Sequence, residues 1–264
     1  MAIQSLDQYI AAAKQRITYT KLASRTSVAA MPFSIFDIAG NPGAGTLGGS
    51  DVNAGVVPDD SIAGYPNIAP FNTGATGYIS KIEFMSPVAG WLNLYDRLWL
   101  AGPYNFNAAS SLAAQPSLAS RLPDGSYNGL ELWVETVTPF TGNLTISVNY
   151  TKEDGTTGRT TGAFATGLAP TLGRCIQLPL AAGDRGIQKV ESLSASVATV
   201  GTFNLMILRP VWSGRVQVAN AGDVHDLLRT GMPKILTNSA LYCLVTADST
   251  ATSTPSMIIE IANG

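Results

Sequence analysis

Two glutamates four residues apart are the first side chains in this chain whose types and spacing suggest chemistry. Glu131 and Glu135 lie in Leu130–Thr138, a segment with the period-two alternation of a strand, so both point to one side together with Trp133. Paired carboxylates can hydrolyse glycosides. Acids beside an aromatic ring can instead bind carbohydrate, which predicts an exposed aromatic platform near Trp133 or Trp99. An ordinary solvent-exposed face or a subunit contact explains the same pattern.

The single histidine, His225, stands between two aspartates in Asp223-Val-His225-Asp226. A His–Asp pair can ligate a metal ion, and histidine can act as a general base. A metal site usually gathers several such ligands, and the sequence contains no second histidine. The aspartates fit a helix predicted over Asp223–Arg229, with Asp223 as N-cap and Asp226 in the first turn. We therefore predict no catalytic residue and no metal site.

A glycine motif, Gly43-Ala-Gly45-Thr-Leu-Gly48, matches the spacing of a dinucleotide-binding loop. That loop needs a strand before it and a helix beginning within it. The residues that follow, Gly49-Ser50-Asp51-Val52, are unsuited to starting a helix, and no strand–helix–strand rhythm follows. We predict no bound cofactor and no enzymatic activity.

Composition restricts the class of protein further. Charged residues make up 13% of the 264-residue chain, the net charge is −2, and no Lys/Arg cluster occurs, so nucleic-acid binding is not expected. We expect no secretory signal and no membrane-spanning segment. Cys175 and Cys243 lie in apolar, strand-like segments and are predicted to be buried reduced thiols, although a disulfide between them stays open.

The stretch Gly40–Gly77, called the arm below, is rich in Gly, Pro, Asn, Ser and Thr and contains no Lys or Arg. It is longer than an ordinary connection and poorer in charge than a typical disordered segment. Apolar residues recur along it. We expect the arm to lie flat against another surface, and a partner subunit is the predicted surface. The predicted interface residues, in the arm and in an N-terminal helix, are Leu6, Tyr9, Ile10, Leu47, Val56, Val57, Tyr65 and Phe71.

The elements that must position these residues are mostly strands. A capping-box pattern at Ser5 and Gln8 with an apolar stripe predicts a helix over Ser5–Arg16. The second half of the chain alternates between apolar and polar residues, with turn residues between segments. The predicted fold is mainly β: a β-sandwich or jelly-roll-like body over residues 78–264, with a short N-terminal helix and the extended arm in residues 1–77. The predicted strands after Leu130–Thr138 are Asn143–Thr151, Thr157–Thr166, Cys175–Leu180, Gln188–Thr199, Thr202–Leu208, Ala240–Ala247 and Met257–Ile261.

Seven motifs distributed over the chain resemble a family of tailed-bacteriophage virion proteins. They are FDIAGNPGAGTL (Phe36–Leu47), VVPDD to AGYP (Val56–Pro66), LYDRLWLAGPYNFN (Leu94–Asn107), GIQKVESL (Gly186–Leu193), LRPVW (Leu208–Trp212), AGDVHDLLRTGMP (Ala221–Pro233) and the closing IIEIANG. The resemblance implies a capsid decoration or cement protein with a β-sandwich or jelly-roll body, bound to the shell as a trimer. The motifs are not catalytic, so no functional residue follows from them.

The sequence and the resemblance together predict a non-enzymatic virion protein that binds the major capsid protein and stabilises the shell. It is expected to be a homo-oligomer, a trimer by the resemblance, made in the cytoplasm of a bacterial host and located on the capsid surface. The alternatives are a receptor- or carbohydrate-binding tail or fibre module, a neck or tail component, and a glycan hydrolase that uses Glu131 and Glu135.

Overall fold

The computed structural model of the protein describes residues 3–49, 51–105, 109–112, 114–142, 145–165, 171–195 and 200–264. Strands account for 49% and helices for 5%, which confirms the predicted mainly-β fold with a short N-terminal helix. Helix α1 spans Leu6–Ala11, helix α2 spans Leu227–Thr230, and a 3-10 turn spans Ala119–Arg121. Of the predicted segments, Asn143, Leu144, Thr166, residues 196–199 and the last two residues of Leu94–Asn107 lie outside the described residues.

The strands are numbered in chain order. They are β1 (Ala13–Lys21), β2 (Arg25–Thr26), β3 (Phe33–Ser34), β4 (Gly40–Asn41), β5 (Gly77–Ser86), β6 (Gly90–Asn105), β7 (Ser110–Ser111), β8 (Glu131–Thr138), β9 (Thr145–Lys152), β10 (Arg159–Thr160), β11 (Phe164–Ala165), β12 (Cys175–Leu178), β13 (Ile187–Ala195), β14 (Thr202–Val216), β15 (Ala221–His225), β16 (Lys234–Ile235), β17 (Leu241–Ala247), β18 (Thr252–Ser253) and β19 (Ser256–Asn263).

The central sheet has the antiparallel order β12-β8-β14-β6-β17-β3 and closes on itself. Phe33 of β3 bridges to Arg174, immediately before β12. The Cys175 amide donates to the Pro32 carbonyl at 2.9 Å, and the Ser34 amide donates to the Gly173 carbonyl at 2.8 Å. The six strands therefore form a closed cylinder, and alternation along each strand sends every second side chain inside.

Two flanking sheets pack on the outside of this cylinder. The first flanking sheet has the order β15-β5-β19-β1-β4, with β16 also paired to β5, and the second has the order β10-β9-β13-β7, with β11 also paired to β9. The long strand β6 serves both: Leu92 and Leu94 lie in the core under the first sheet, whereas Leu98 and Ala101 lie in the core under the second. The cylinder interior forms a third core, called the inner core below.

The arm covers the inner core of its own chain. Leu47 and Tyr65 are buried there with Phe36, beside Tyr242 and Met206 from the cylinder. The amide and carbonyl of Val56 bond the carbonyl and amide of Leu100 at 2.8 and 3.0 Å. The expectation that the arm lies flat against a surface therefore agrees with the structure, but that surface belongs to the same chain. The regions predicted as 1–77 and 78–264 accordingly share sheets and cores.

Helix α1 is shorter than predicted. The Ser5 hydroxyl accepts from the Gln8 amide at 3.2 Å, as the capping pattern predicts, but the helix ends at Ala11. From Ala13 the chain is strand β1, which pairs with β19 from Ala13↔Asn263 to Thr20↔Ser256. Sheet pairing over this length outweighs the apolar stripe that favoured a longer helix. In the part of the chain described above, neither helix has the length and apolar character needed to cross a membrane.

Candidate assembly surface

The Glu131 and Glu135 side chains do lie on one side of β8, but that side is the inside of the cylinder. Glu135 is fully buried. Its Oε1 accepts from the Tyr242 hydroxyl at 2.6 Å and the Ser34 hydroxyl at 2.9 Å. Its Oε2 accepts from Asn204 Nδ2 at 3.3 Å and Arg97 Nη2 at 3.4 Å. With both oxygens engaged and no access to solvent, Glu135 is a structural counterion and cannot act as a glycosidase acid or base.

Glu131 lies nearer the rim of the cylinder and is also hydrogen-bonded within its own chain. Its Oε2 accepts from the Trp133 indole at 2.8 Å, and burial raises the pKa of its carboxyl group. The aromatic platform expected for carbohydrate binding is absent at both predicted positions, because Trp133 is 5% exposed and Trp99 is 0% exposed. That expectation was wrong for a physical reason: closure of the central sheet turns one face of β8 inward, and the second flanking sheet covers the other face.

His225 is held in place by contacts with its own chain. Its Nδ1 accepts from the Trp212 indole at 3.0 Å, and its ring packs edge-on against Phe84. Strand β15 occupies Ala221–His225, so the predicted N-cap at Asp223 is wrong. Asp226 caps helix α2 instead, accepting from the Leu228 and Arg229 amides at 3.1 Å. Among the described residues, no group of three or more His, Cys, Asp or Glu side chains is placed to hold a metal ion.

The glycine motif and the two cysteines also have packing roles. A Cβ on Gly45 would lie 2.2 Å from the Phe36 ring, so the glycine allows the arm to approach that ring closely. Cys175 and Cys243 are buried free thiols, as predicted. They lie in different cores: Cys175 in the inner core and Cys243 under the first flanking sheet.

Buried charged and polar side chains fasten the arm to the cylinder, and the sequence-based prediction missed them. Asn204 accepts from the Gly49 amide at 3.1 Å and donates to the Leu47 carbonyl. Arg121 donates to the Pro58 carbonyl and, at 2.8 Å, to the fully buried carboxylate of Asp96. The available signal was Asp96-Arg97 inside the otherwise apolar run Leu94–Ala101, because adjacent charges in such a run need buried partners.

The structure divides the predicted interface residues into two groups. Leu47 and Tyr65 are buried in the inner core, and Val56, Val57 and Phe71 are half-buried against the same chain. In this conformation the arm residues already have apolar partners in their own chain, and their contact with a partner subunit stays a prediction. The remaining three residues, Leu6, Tyr9 and Ile10, all lie on α1.

Helix α1 is an apolar element that its own chain leaves uncovered. Leu6 is 63% exposed and Ile10 is 65% exposed, and no residue of the helix is buried. Tyr9 attaches the helix to the first flanking sheet, donating to Glu260 Oε1 at 3.1 Å. Residues four apart lie on one side of a helix, so Leu6 and Ile10 form one apolar ridge. A six-residue helix is too short to be stable without packing, which makes this ridge a candidate contact with a partner.

No family model matches the chain, and no curated protein matches it. Among solved structures, the chain is similar to the VP2 subviral particle of infectious bursal disease virus, with 9% identity over 95% of this chain and 80% of that chain and a TM-score of 0.19. It is also similar to the T13 particle of that virus, with 10% identity over 95% and 77% of the two chains and a TM-score of 0.19. TM-scores this low carry no argument about fold or function.

Proposed function

We propose that this chain is a non-enzymatic structural protein of a tailed-bacteriophage virion, a decoration or cement protein that binds the major capsid shell and stabilises it. The family resemblance of the sequence motifs supports the class. The uncovered ridge of Leu6 and Ile10 is the observation that carries the proposal, because an exposed apolar pair on a short terminal helix is suited to docking in an assembly.

The inner core supports a structural role as well. Its charged groups are paired with neighbours in the same chain, Glu135 with Arg97 and Asp96 with Arg121. Such pairs specify how the arm and the cylinder fit together, and they leave these carboxylates without a free position for a substrate. In a shell, many identical copies each make a modest contact, and their effects combine through multivalency. The proposed partners are the major capsid protein and further copies of this chain in a homo-oligomer, such as a trimer.

The test is to locate the chain in purified virions by cryo-electron microscopy and by antibody labelling. Density or label repeating over the head with the symmetry of the shell supports the proposal. A chain confined to the neck or tail would indicate the alternative structural roles, and a chain missing from the virion would refute a virion function altogether.

A binding test with isolated particles locates the contact. The variant lacks only residues 1–11, because β1 and the arm belong to the folded body and removing residues 1–77 would destroy it. Full-length protein should co-sediment with particles that lack it, and the truncated protein should do so weakly while keeping the same unfolding midpoint. Unchanged co-sedimentation of the truncated protein would exclude α1 as a contact in the particle.

A further inference from the structure

Trp91 is the exposed member of the four tryptophans in this chain. It is 42% exposed, whereas Trp99, Trp133 and Trp212 are 0%, 5% and 7% exposed. Trp91 lies near the start of β6, and the next residue, Leu92, points to the other side of the strand, into the core under the first flanking sheet. Tryptophan combines a large apolar ring with a polar N–H group, which makes an exposed indole suited to binding a ligand with both kinds of surface.

Polar side chains from three adjacent strands surround this indole. Trp91 pairs with Arg215 of β14 on one side and with Thr246 of β17 on the other. Two residues further along β6, Asn93 pairs with Ser213 of β14. Residues two apart share one face of a strand, so all five side chains lie on the same face of the sheet. The centre of a protein–protein interface is usually apolar. The polar neighbours of the ring instead favour a ligand rich in hydroxyl groups.

The indole is held from one side and left open on the other. The guanidinium carbon of Arg215 lies over the ring, 5.4 Å from its centroid. Arg215 is itself fixed, because Nη2 donates to Asp248 Oδ2 at 2.9 Å and Nε donates to Gln217 Oε1 at 3.4 Å. The neighbour across β17, Thr246, has a short side chain that cannot cover an indole. A planar ligand can therefore stack on the open side of a ring that is already positioned.

Hydrogen-bonding groups next to the ring remain available to such a ligand. The Ser213 hydroxyl donates to Asn93 Oδ1 at 2.7 Å, which fixes the Asn93 amide and leaves both hydrogens of its Nδ2 without an acceptor among the described residues. Within the same part of the chain, Asp248 Oδ1 and the Thr246 hydroxyl have no hydrogen-bond partner either. The face thus offers fixed donors and acceptors beside an apolar platform.

We propose that this face binds a neutral pyranose unit of a glycan, with one side of the sugar ring stacked on Trp91. The C–H groups on one side of a pyranose carry partial positive charge, and the face of an indole is electron-rich. The sugar hydroxyls both donate and accept, so they can bond the Asn93 amide and the Asp248 carboxylate. Arg215 and Asp248 neutralise each other, which leaves no net charge to select an acidic sugar.

The occupant is a glycan chain with repeated units rather than a free sugar. A single aromatic platform on an open sheet face gives a dissociation constant on the order of millimolar for one sugar. Such weak sites become effective when many copies meet many sugar units at once. The site itself does not depend on the virion role proposed above, although display on a shell would provide the required copies.

A glycan array tests the site and its ligand class together. The protein is carried in many copies on fluorescent beads and applied to immobilised neutral and acidic glycans. The wild type should bind neutral pyranose glycans, Trp91→Ala should bind at least about tenfold more weakly, and Trp91→Phe should keep part of the binding because it retains a smaller ring. Leu228→Ala, at an exposed apolar position on α2, is the matched control. A wild type that binds no neutral glycan, or acidic glycans alone, would overturn the proposal.

Acrylamide quenching of fluorescence locates the bound sugar in the unmodified protein. Because the other three tryptophans are buried, the quencher reports mainly on Trp91. A glycan that the array identifies should reduce quenching in a saturable way, and Asn93→Ala should weaken this protection while the ring stays in place. The free methyl glycoside of the same sugar should protect only at far higher concentration than the polymer does in the bead assay. Equal potency would assign the site to a free sugar, and unprotected Trp91 at saturation would place the sugar elsewhere; either result contradicts the proposal.

A protein contact at the same face gives a different result. Ultracentrifugation of the wild type and Trp91→Ala detects it: a wild type that self-associates through Trp91, with association lost in the variant, would assign the face to another copy of the chain and overturn glycan binding. Both proteins are expected to sediment alike, with the same unfolding midpoint, because Trp91 is partly exposed and its ring is not part of a core.

The glycan site and α1 lie at opposite ends of β5, so the two proposals fail separately. Ala13, just after α1, pairs with Asn263, which in turn pairs with Gly77 at the start of β5, whereas β6 begins four residues after β5 ends. A chain found on virions that binds no glycan refutes the sugar site and leaves the virion role standing. A glycan-binding chain that is missing from virions refutes the virion role and leaves the sugar site standing.

Discussion

The hydroxyl of Tyr242 donates a 2.6 Å hydrogen bond to the carboxylate of Glu135 inside the cylinder. The same tyrosine ring lies 3.8 Å from the guanidinium carbon of Arg97. One aromatic side chain thus contacts both members of a fully buried ion pair. Because water does not reach this position, the pair is held by its neighbours in the protein, and each member depends on the other.

We therefore expect Glu135→Gln to lower the free energy of unfolding by about 3–5 kcal/mol, because it leaves the Arg97 charge buried without a counterion. Urea unfolding followed by tryptophan fluorescence measures the change. Glu131→Gln is the matched control, since Glu131 is not part of the ion pair, and it should cost less than about 1 kcal/mol. Equal stability of the two variants would contradict the assignment of Glu135 as a structural counterion.

Two glycines of the same motif should respond differently to substitution by alanine. A Cβ at Gly45 would lie 2.2 Å from the Phe36 ring, whereas nothing lies within 4 Å of a Cβ at Gly43. We expect Gly45→Ala to destabilise the protein by about 1–3 kcal/mol through overpacking. Gly43→Ala should change the unfolding free energy by no more than about 0.5 kcal/mol in the same denaturation experiment. A similar cost at both positions would show that the motif is not a packing feature of the arm.

The sequence predicts the type of most elements better than it predicts their partners. Alternation in Leu132, Trp133, Val134 and Glu135 correctly indicates a strand with the acids and the indole on one side. It cannot show which side is enclosed, because the closure of the cylinder depends on bonds between residues near Pro32 and Arg174, far apart in the chain. The prediction of an exposed acidic face with an aromatic platform was wrong because the exposure of that face depends on this long-range closure.

The candidate assembly surface is likewise only partly predictable from the sequence. Exposure of Leu6 and Ile10 follows from a terminal amphipathic helix, and the sequence indicates it. The shallow hollow on the outer face of the first flanking sheet, lined by Met85 and Val224, requires four strands in register, with Thr18 beside Ile258 and Glu83 beside Val224. No local pattern contains that arrangement. In the arm, apolar residues such as Leu47 are visible in the sequence, but a covering segment and a partner-binding segment have the same composition.

Both cysteine thiols are buried in the structure, and their reactivity tests that burial. Burial raises the pKa of Cys243 to about 12 and raises the pKa of Cys175 further above its ordinary value. Neither thiol should react with a thiol reagent in the native protein at pH 8, and both should react after unfolding in urea. Leu22→Cys, at an exposed position, should add one rapidly reacting thiol to the native protein. Loss of both reactive thiols in the unfolded protein would indicate a disulfide and contradict the structure.

Lys21 gives the fold a pH dependence of predictable sign. Its ammonium is buried beneath the arm, where Nζ donates to the Pro42 carbonyl at 2.9 Å, and burial lowers its pKa to about 8 from 10.5. Below pH 8 the lysine is charged in both the folded and the unfolded state, so folding bears the cost of burying the charge. Between pH 8 and pH 10.5 the unfolded chain binds the extra proton, so this group makes the protein more stable as the pH rises.

We therefore compare the unfolding free energies of the wild type and Lys21→Met from pH 7 to pH 10. The difference should move in favour of the wild type above pH 8, by up to about 1.4 kcal/mol per pH unit. Taking the difference cancels other groups that titrate in this range, such as the cysteines. Lys14→Met removes a charge at an exposed position and is the control for net charge. A constant difference between the wild type and Lys21→Met across this range would show that Lys21 is not buried under the arm in solution.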